Sequence, residues 1–519
     1  MQTVLRNSRN NFSLFCMYLP IGAALVTIGA KCWMVARFAS PTPYWDQWDA
    51  EGGFLYPKFM DGTLRLADLI APHNEHRVLM TRLWSLLALA LEGYWDSILQ
   101  MLANTLLLGA FVALLVVVFR PLLERRAWIA FALFTTVVFA LPFGWENTLS
   151  AFHSQWYFLL LFSLAGLALI IDAPALIGRW WLALMLIIAS YFSMAGGLMT
   201  AAAAFAVCLL QALTGQRSGG GEWLGLTMLA ALAAAMLLAV PMNREDPVFI
   251  AHSVQQFLQA IFAIGAWPVA RNPIGALILC AVVIHAPAWA TSFAVAVKSP
   301  PRTDRGWLIV ALTVWLVLQS LVIAYGRAIS PVMSRYADLY VIAFPLNFAC
   351  LLLFLKDTAA SRQRRRLALS ATALWLLLVI PGAGGALVKH FIPETMLRGA
   401  AGRTQTENLR SYLTTNDFAV LKDKVAPDIP YPDASHLAAI LSQPVIVGLL
   451  PPELVGADSA ARAQARGLAR YTGDAVEALK KFALRWGFLL MPAGFLLFAF
   501  GAAQEWRQRQ TPAQPPQGA

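Results

Sequence analysis

Residues 97–119 read SILQMLANTLLLGAFVALLVVVF, with no charged side chain from Ser97 to Phe119 and Arg120 directly after. At 1.5 Å per residue, about 20 apolar residues cross the roughly 30 Å hydrocarbon core of a bilayer. Lipid offers the backbone no hydrogen-bond partner, so such a run must be a helix or part of a closed barrel. Barrel strands alternate over about ten residues. This run does not alternate, which selects the helix.

The same pattern recurs in both directions. Candidate spans fall at about 12–36, 97–119, 127–141, 153–171, 180–194, 197–213, 222–241, 274–297, 306–325, 337–355, 367–385 and 482–501. The segments 76–92 and 254–269 are apolar helices with too many polar residues to span, and read as juxtamembrane or re-entrant. The expected fold is therefore an all-α polytopic membrane protein of about twelve spans. Composition agrees: 59% of the 519 residues are hydrophobic and 13% charged, too little charge to cover a soluble chain of this length. Arg6 and Arg9 before Phe12–Phe38 have the layout of a signal peptide, but the run is long for one and reads as the first span. Cys16, Cys32, Cys208, Cys280 and Cys350 sit in or beside apolar segments without metal-ligand spacing, so they read as small core residues.

The net charge of +11 does not point to nucleic acid, because the basic residues lie in short loops between apolar runs. With twelve spans, one side receives Arg6 and Arg9, Arg120, Arg125 and Arg126, Arg179, Arg217, Lys298, Arg302 and Arg305, Lys356 and Arg362–Arg366, then Arg507 and Arg509. The positive-inside rule makes that side cytoplasmic and both termini internal. The expected division is a membrane domain over 1–385 that includes an external loop at 38–96. A helical external segment at 386–481, a last span at 482–501 and a disordered tail at 502–519 complete it. Asn416-Asp417 and Asp433/Ser435 before His436–Leu441 mark helix starts in the external segment.

The polar residues that carry chemistry gather on the outer side. The first loop opens Pro43-Tyr44-Trp45-Asp46-Gln47-Trp48-Asp49-Ala50-Glu51 and closes Pro72-His73-Asn74-Glu75-His76-Arg77. Asp46, Asp49 and Glu51 are candidate general bases, and Trp45 and Trp48 can stack on sugar faces. His73, Glu75, His76 and Arg77 suit the phosphate of a lipid-linked substrate. Arg77, Thr81 and Ser85 share one face of the following helix, against Val78, Leu79, Leu83 and Leu86. Glu146, His153 and Gln155 lie at a later external boundary, Asn243–Asp246 at another, and Arg327, Arg335 and Tyr336 bracket Pro331. Two external arginines run against the charge bias, and a guanidinium binds phosphate as a bidentate fork.

These residues resemble the GT-C superfamily of membrane glycosyltransferases, whose donors are polyprenyl-phosphate sugars and whose members include protein mannosyltransferases and lipid A aminoarabinose transferases. The resemblance covers the layout of residues 12–385, with sharp motifs at Trp45–Glu51, His73–Arg77 and Arg327–Tyr336. It implies that a first-loop aspartate, Asp46 or Asp49, activates the acceptor. A divalent cation, magnesium or manganese, is compatible with the family, although the spacing Asp46-x-x-Asp49-x-Glu51 shows no clear cage. The expected activity is sugar transfer from polyprenyl phosphate to a glycan, lipid or protein acceptor. It would take place at the outer face of a bacterial-type plasma membrane. An O-antigen polymerase or ligase, and a transporter or lipid flippase, are the alternatives.

Overall fold

The computed structural model describes residues 2–241, 248–456 and 467–510. The side chains of Arg6, Arg9, Arg507 and Arg509, the segment Asn243–Asp246 and the tail from Thr511 lie outside the described residues. Among the described residues, ten helical stretches are long and apolar enough to cross a bilayer. Gly178–Tyr191 and Gly197–Leu213, also expected to span, are helices of 14 and 17 residues. At 1.5 Å per residue they reach roughly 21 and 26 Å, short of the hydrocarbon thickness. The turn between them is tight: a Cβ on Gly197 would lie 2.2 Å from the Tyr191 nitrogen. Val254–Ala266 is a third short apolar helix.

Ion pairs mark one end of the bundle. Arg217 and Arg302 meet Glu222 at 2.8 and 2.7 Å, and Arg179 and Arg305 meet Asp172 at 3.1 and 3.0 Å. Three loops that charge sorting placed on one side are thus joined at one end.

At the other end the first loop and the late segment share a core. Trp48, Leu55, Tyr56, Leu89 and Trp95 pack with Leu409, Leu421, Leu437, Ile440 and Ile446. The loop at 38–96 and the segment after 386 thus pack as one cap. The helix Leu79–Glu92 buries Thr81, Arg82, Ser85, Ala88, Leu89 and Glu92, and leaves Leu83 and Leu87 exposed. Its polar side thus faces the protein, the arrangement suited to an element with lipid around it.

The last candidate membrane stretch, Ala469–Gln504, contains the expected span 482–501. A 3-10 turn at Gly487–Leu489 breaks it between the helices Ala469–Trp486 and Leu490–Gln510. A Cβ on Gly487 would sit 2.8 Å from the Cys32 Cβ, so the bend rests directly on the first helix. Further along, Gly494 packs against Gly22, where an added Cβ would lie 2.6 Å from the Gly22 carbonyl oxygen. Small residues let membrane helices approach this closely.

Candidate active site

After Phe38 the chain is held against the late segment. The Ser40 hydroxyl donates to the Gly402 carbonyl at 3.1 Å, Thr42 and Thr406 hydroxyls pair at 2.9 Å, and the Trp45 amide donates to the Pro430 carbonyl at 2.9 Å. Trp45 takes a left-handed turn, φ 49°, after which Asp46 and Gln47 lead into a wide π-helix, Trp48–Leu55. The wide coil leaves Asp46 and Asp49 one turn apart, each with a side chain 38% exposed. They address different histidines. Asp46 Oδ2 lies 3.9 Å from His73 Nε2, while Asp49 contacts His436 Nε2 at 2.8 Å and accepts from the Tyr431 hydroxyl at 2.8 Å.

His73 and His76 close a tight turn by exchanging backbone hydrogen bonds of 2.8 and 3.0 Å, with Asn74 at φ 51°. Glu75 at its tip is paired with Arg327, and His76 Nε2 lies 3.8 Å from the same carboxylate. A second turn, residues 141–153, presents Glu146 and His153. Glu146 accepts from the Arg335 amide at 3.1 Å and stands 3.5 Å from its Nε. Asn147 donates both to the Arg335 carbonyl and to Asp338, each at 2.9 Å. Gly144 is obligatory here, since a Cβ would fall 2.2 Å from Asp338 Oδ2. Tyr336 stands edge-on to Trp156 at 5.6 Å, with the Arg335 guanidinium 5.9 Å from its ring.

Electrostatics follow from this crowding. Burial works to raise the Asp46 pKa, but the neighbouring His73 ring, with the charges of His153 and Arg335, holds it below the usual carboxylate value. Glu75 is also lowered: burial opposes this, and His76 and Arg327 outweigh it. Burial lowers His76 and the Arg327 charge adds to that, against the pull of Glu75, which favours the neutral ring.

Six polar atoms in this region are buried without a hydrogen-bond partner among the described residues: His73 Nε2, His76 Nδ1, Asn147 Oδ1, His153 Nδ1, Gln155 Oε1 and Arg335 Nε. Buried polar groups are normally satisfied, so a concentration of orphans marks a place built for something else to bind.

Some expected members do not join. Glu51 is 1% exposed and accepts from Ser85, Gln47 and Trp95 at 2.5, 2.8 and 2.7 Å; burial raises its pKa. Trp48 is fully buried, donating to the Pro43 carbonyl at 2.8 Å and packing on Trp95, so it is core and not a sugar platform. Trp45 does remain exposed. Arg77 donates to the carbonyls of Ile70 and Ala239 at 2.9 and 3.4 Å, which ties down the loop and leaves it little capacity for phosphate.

Other members escaped the sequence reading. Arg398 lies 3.7 Å over the Tyr44 ring, and Tyr431 and His436 reach Asp49 from the cap. His436 opened a recognised helix, but nothing in its neighbours links it to a residue nearly four hundred positions earlier.

No three ligand atoms of this site come together as a metal group. Among the described residues that arrangement occurs at Glu92, Asp96 and Glu477, within 4.8 Å of one another, where the Lys480 ammonium lies among the carboxylates. Compared with family models, with curated proteins and with solved structures, the chain matches none.

Proposed function

We propose that this protein is a membrane glycosyltransferase of GT-C type that moves a sugar from polyprenyl phosphate to an extracytoplasmic hydroxyl acceptor. The observation that carries the reading is the set of orphaned imidazole, amide and guanidinium atoms around Asp46, at the end of the bundle away from the Arg217–Glu222 pairs. Two further inputs are the loop charges, which make the arginine-rich end cytoplasmic, and the ten helices among the described residues that are long and apolar enough to cross a bilayer; counting Gly178–Tyr191 and Gly197–Leu213 as shorter crossings keeps the basic loops on one side.

In this mechanism the acceptor oxygen attacks the anomeric carbon and the bond from that carbon to the phosphate oxygen breaks. Asp46 takes the hydroxyl proton and polyprenyl phosphate leaves with the bonding pair, inverting the anomeric centre. Arg335 is the better-placed cation for the leaving phosphate. Its Nε lacks a hydrogen bond, its Nη2 meets only the Met333 sulfur at 3.4 Å, and its Glu146 contact is long. Arg327 is already held by Glu75.

A transport reading draws on Lys31 and Asp338, both buried inside the bundle. Both are tied to the turn of the site, however. Lys31 donates to the Leu141 carbonyl at 2.9 Å and Asp338 accepts from Asn147. They read as supports for that turn.

Two results are expected. Arg335→Lys keeps the charge but loses the planar fork, so transfer should fall about tenfold or more with a weaker apparent affinity for the donor, while Arg327→Lys does less. Equal activity of parent and Arg335→Lys in a purified transfer assay would remove Arg335 from phosphate binding. For topology, cysteines placed at Thr63 and Ser435 in a cysteine-free background should react with an impermeant maleimide on intact cells. One at Gln363 should react only after permeabilisation, and the opposite pattern would invert the orientation.

A further inference from the structure

A groove of about 810 Å³ opens between the helices Ile274–Lys298, Ala343–Asp357 and Arg362–Ala386. It lies far from the Asp46 site, because its rim is formed by Lys298, Asp304 and Asp357 at the arginine-rich end. Its floor follows Ala286, Ala290 and Ala294, small residues one turn apart on one helix face, and its far wall is Phe354, Leu374 and Trp375. Phe354 and Leu374 stay exposed, so the groove opens sideways, where the surrounding hydrocarbon lies. From Val282 to Lys298 it runs about 24 Å at 1.5 Å per residue, deeper than one leaflet of a roughly 30 Å core.

The rim decides what fits. On the loop after Lys298 the arginines are committed, Arg302 to Glu222 at 2.7 Å and Arg305 to Asp172 at 3.0 Å, while the exposed Arg362, Arg364, Arg365 and Arg366 open the wall helix beyond Asp357. Lys298 and Asp357 have no partner among the described residues. Asp304 gives one oxygen to the Gly306 amide at 2.7 Å and keeps the other. One ammonium and two carboxylates are left at the mouth of an apolar slot.

We propose that this groove is a binding site for a zwitterionic phospholipid bearing a primary ammonium, of the phosphatidylethanolamine type. One acyl chain lies along Ala286–Ala294, the phosphate meets Lys298, and the ammonium donates to Asp304 and Asp357. A purely anionic headgroup would bring no donor to Asp304 and Asp357, and a trimethylammonium headgroup could not donate hydrogen bonds to them. The assignment is independent of the reaction proposed above.

The test is native mass spectrometry and thermal melting of delipidated full-length protein, titrated with phosphatidylethanolamine, phosphatidylglycerol and phosphatidylcholine of identical chains. One phosphatidylethanolamine should be retained about tenfold more tightly than either of the others, about 1.4 kcal/mol of preference, and should raise the melting temperature. Ala290→Trp fills the slot and should abolish retention of that lipid; Ala294→Phe serves the same purpose if the first variant fails to fold. Asp357→Lys should move the preference to phosphatidylglycerol. Equal retention of all three lipids by the parent, or unchanged retention in the filled variants, would overturn the proposal.

Discussion

Asp46→Asn is expected to lower transfer about 10²–10⁴-fold, the usual contribution of a positioned general base, with donor affinity nearly unchanged. Asparagine keeps the size and most of the hydrogen bonding of Asp46, so His73 and the turn around it should stay in place. What it loses is the ability to take the acceptor's proton. Burial alone would raise the Asp46 pKa and make this carboxylate a stronger base, but His73, His153 and Arg335 outweigh burial and hold the pKa down. A group so lowered is ionised above its ordinary value and protonates only as pH falls through the lower one. The acid limb of the pH–rate profile attributable to Asp46 should therefore lie below that of an ordinary aspartate, at the expense of some basic strength. Asp49 offers the internal control. Its two oxygens are taken by Tyr431 and His436, so Asp49→Asn should act through the cap and show a smaller drop than Asp46→Asn. Near-parental turnover of purified, folded Asp46→Asn would end the assignment of this loop as catalytic.

How much of this was readable beforehand depends on the distance over which each signal acts. The spans were legible because hydrophobic length is a local property, as the run at 97–119 shows against the observed helix Ser97–Val118. Loop charge likewise grouped Arg179, Arg217 and Arg302 before the ion pairs joined their loops at one end. The shared cap was not legible. Trp48 looked like a ring for stacking on sugar, and only the late segment folding over it and Trp95 shows that it is core. Glu51 failed for a related reason: a carboxylate in an aromatic loop is equally readable as exposed or buried, and the π-helix turns it towards Ser85 and Trp95. Arg327 and Arg335 looked equivalent in sequence. They differ only in their partners, the carboxylate tip of a distant turn for one and a long contact for the other.

The largest stability effect should come from Lys480→Met. Lys480, 5% exposed, contacts Glu92 at 3.0 Å and Glu477 at 2.7 Å, and is paired with Asp96 as well. The cluster fastens Ala469–Trp486 to Leu79–Glu92, beside a 2.6 Å hydrogen bond from the Thr472 hydroxyl to the Leu91 carbonyl. Removing the ammonium leaves Glu92 and Asp96 buried together without their cation, while Glu477 keeps Lys481 at 3.2 Å; breaking a buried network in this way costs about 3–5 kcal/mol. The pH dependence has a definite sign. Glu92 is pushed up to about 8 by burial first and by the neighbouring Asp96, with Lys480 pulling the other way. A carboxyl raised in the folded state stabilises it below the ordinary carboxyl range and loses that contribution as pH rises through the raised value. Without Lys480 nothing offsets that loss, so the melting-temperature gap between parent and Lys480→Met should widen from pH 6 to pH 9. Adding Glu92→Gln removes one of the three charges and should narrow the gap at pH 9. A gap that stays constant with pH, or a double variant no more stable than Lys480→Met, would mean that these carboxylates are hydrated and that the two helices are held by their apolar contacts alone.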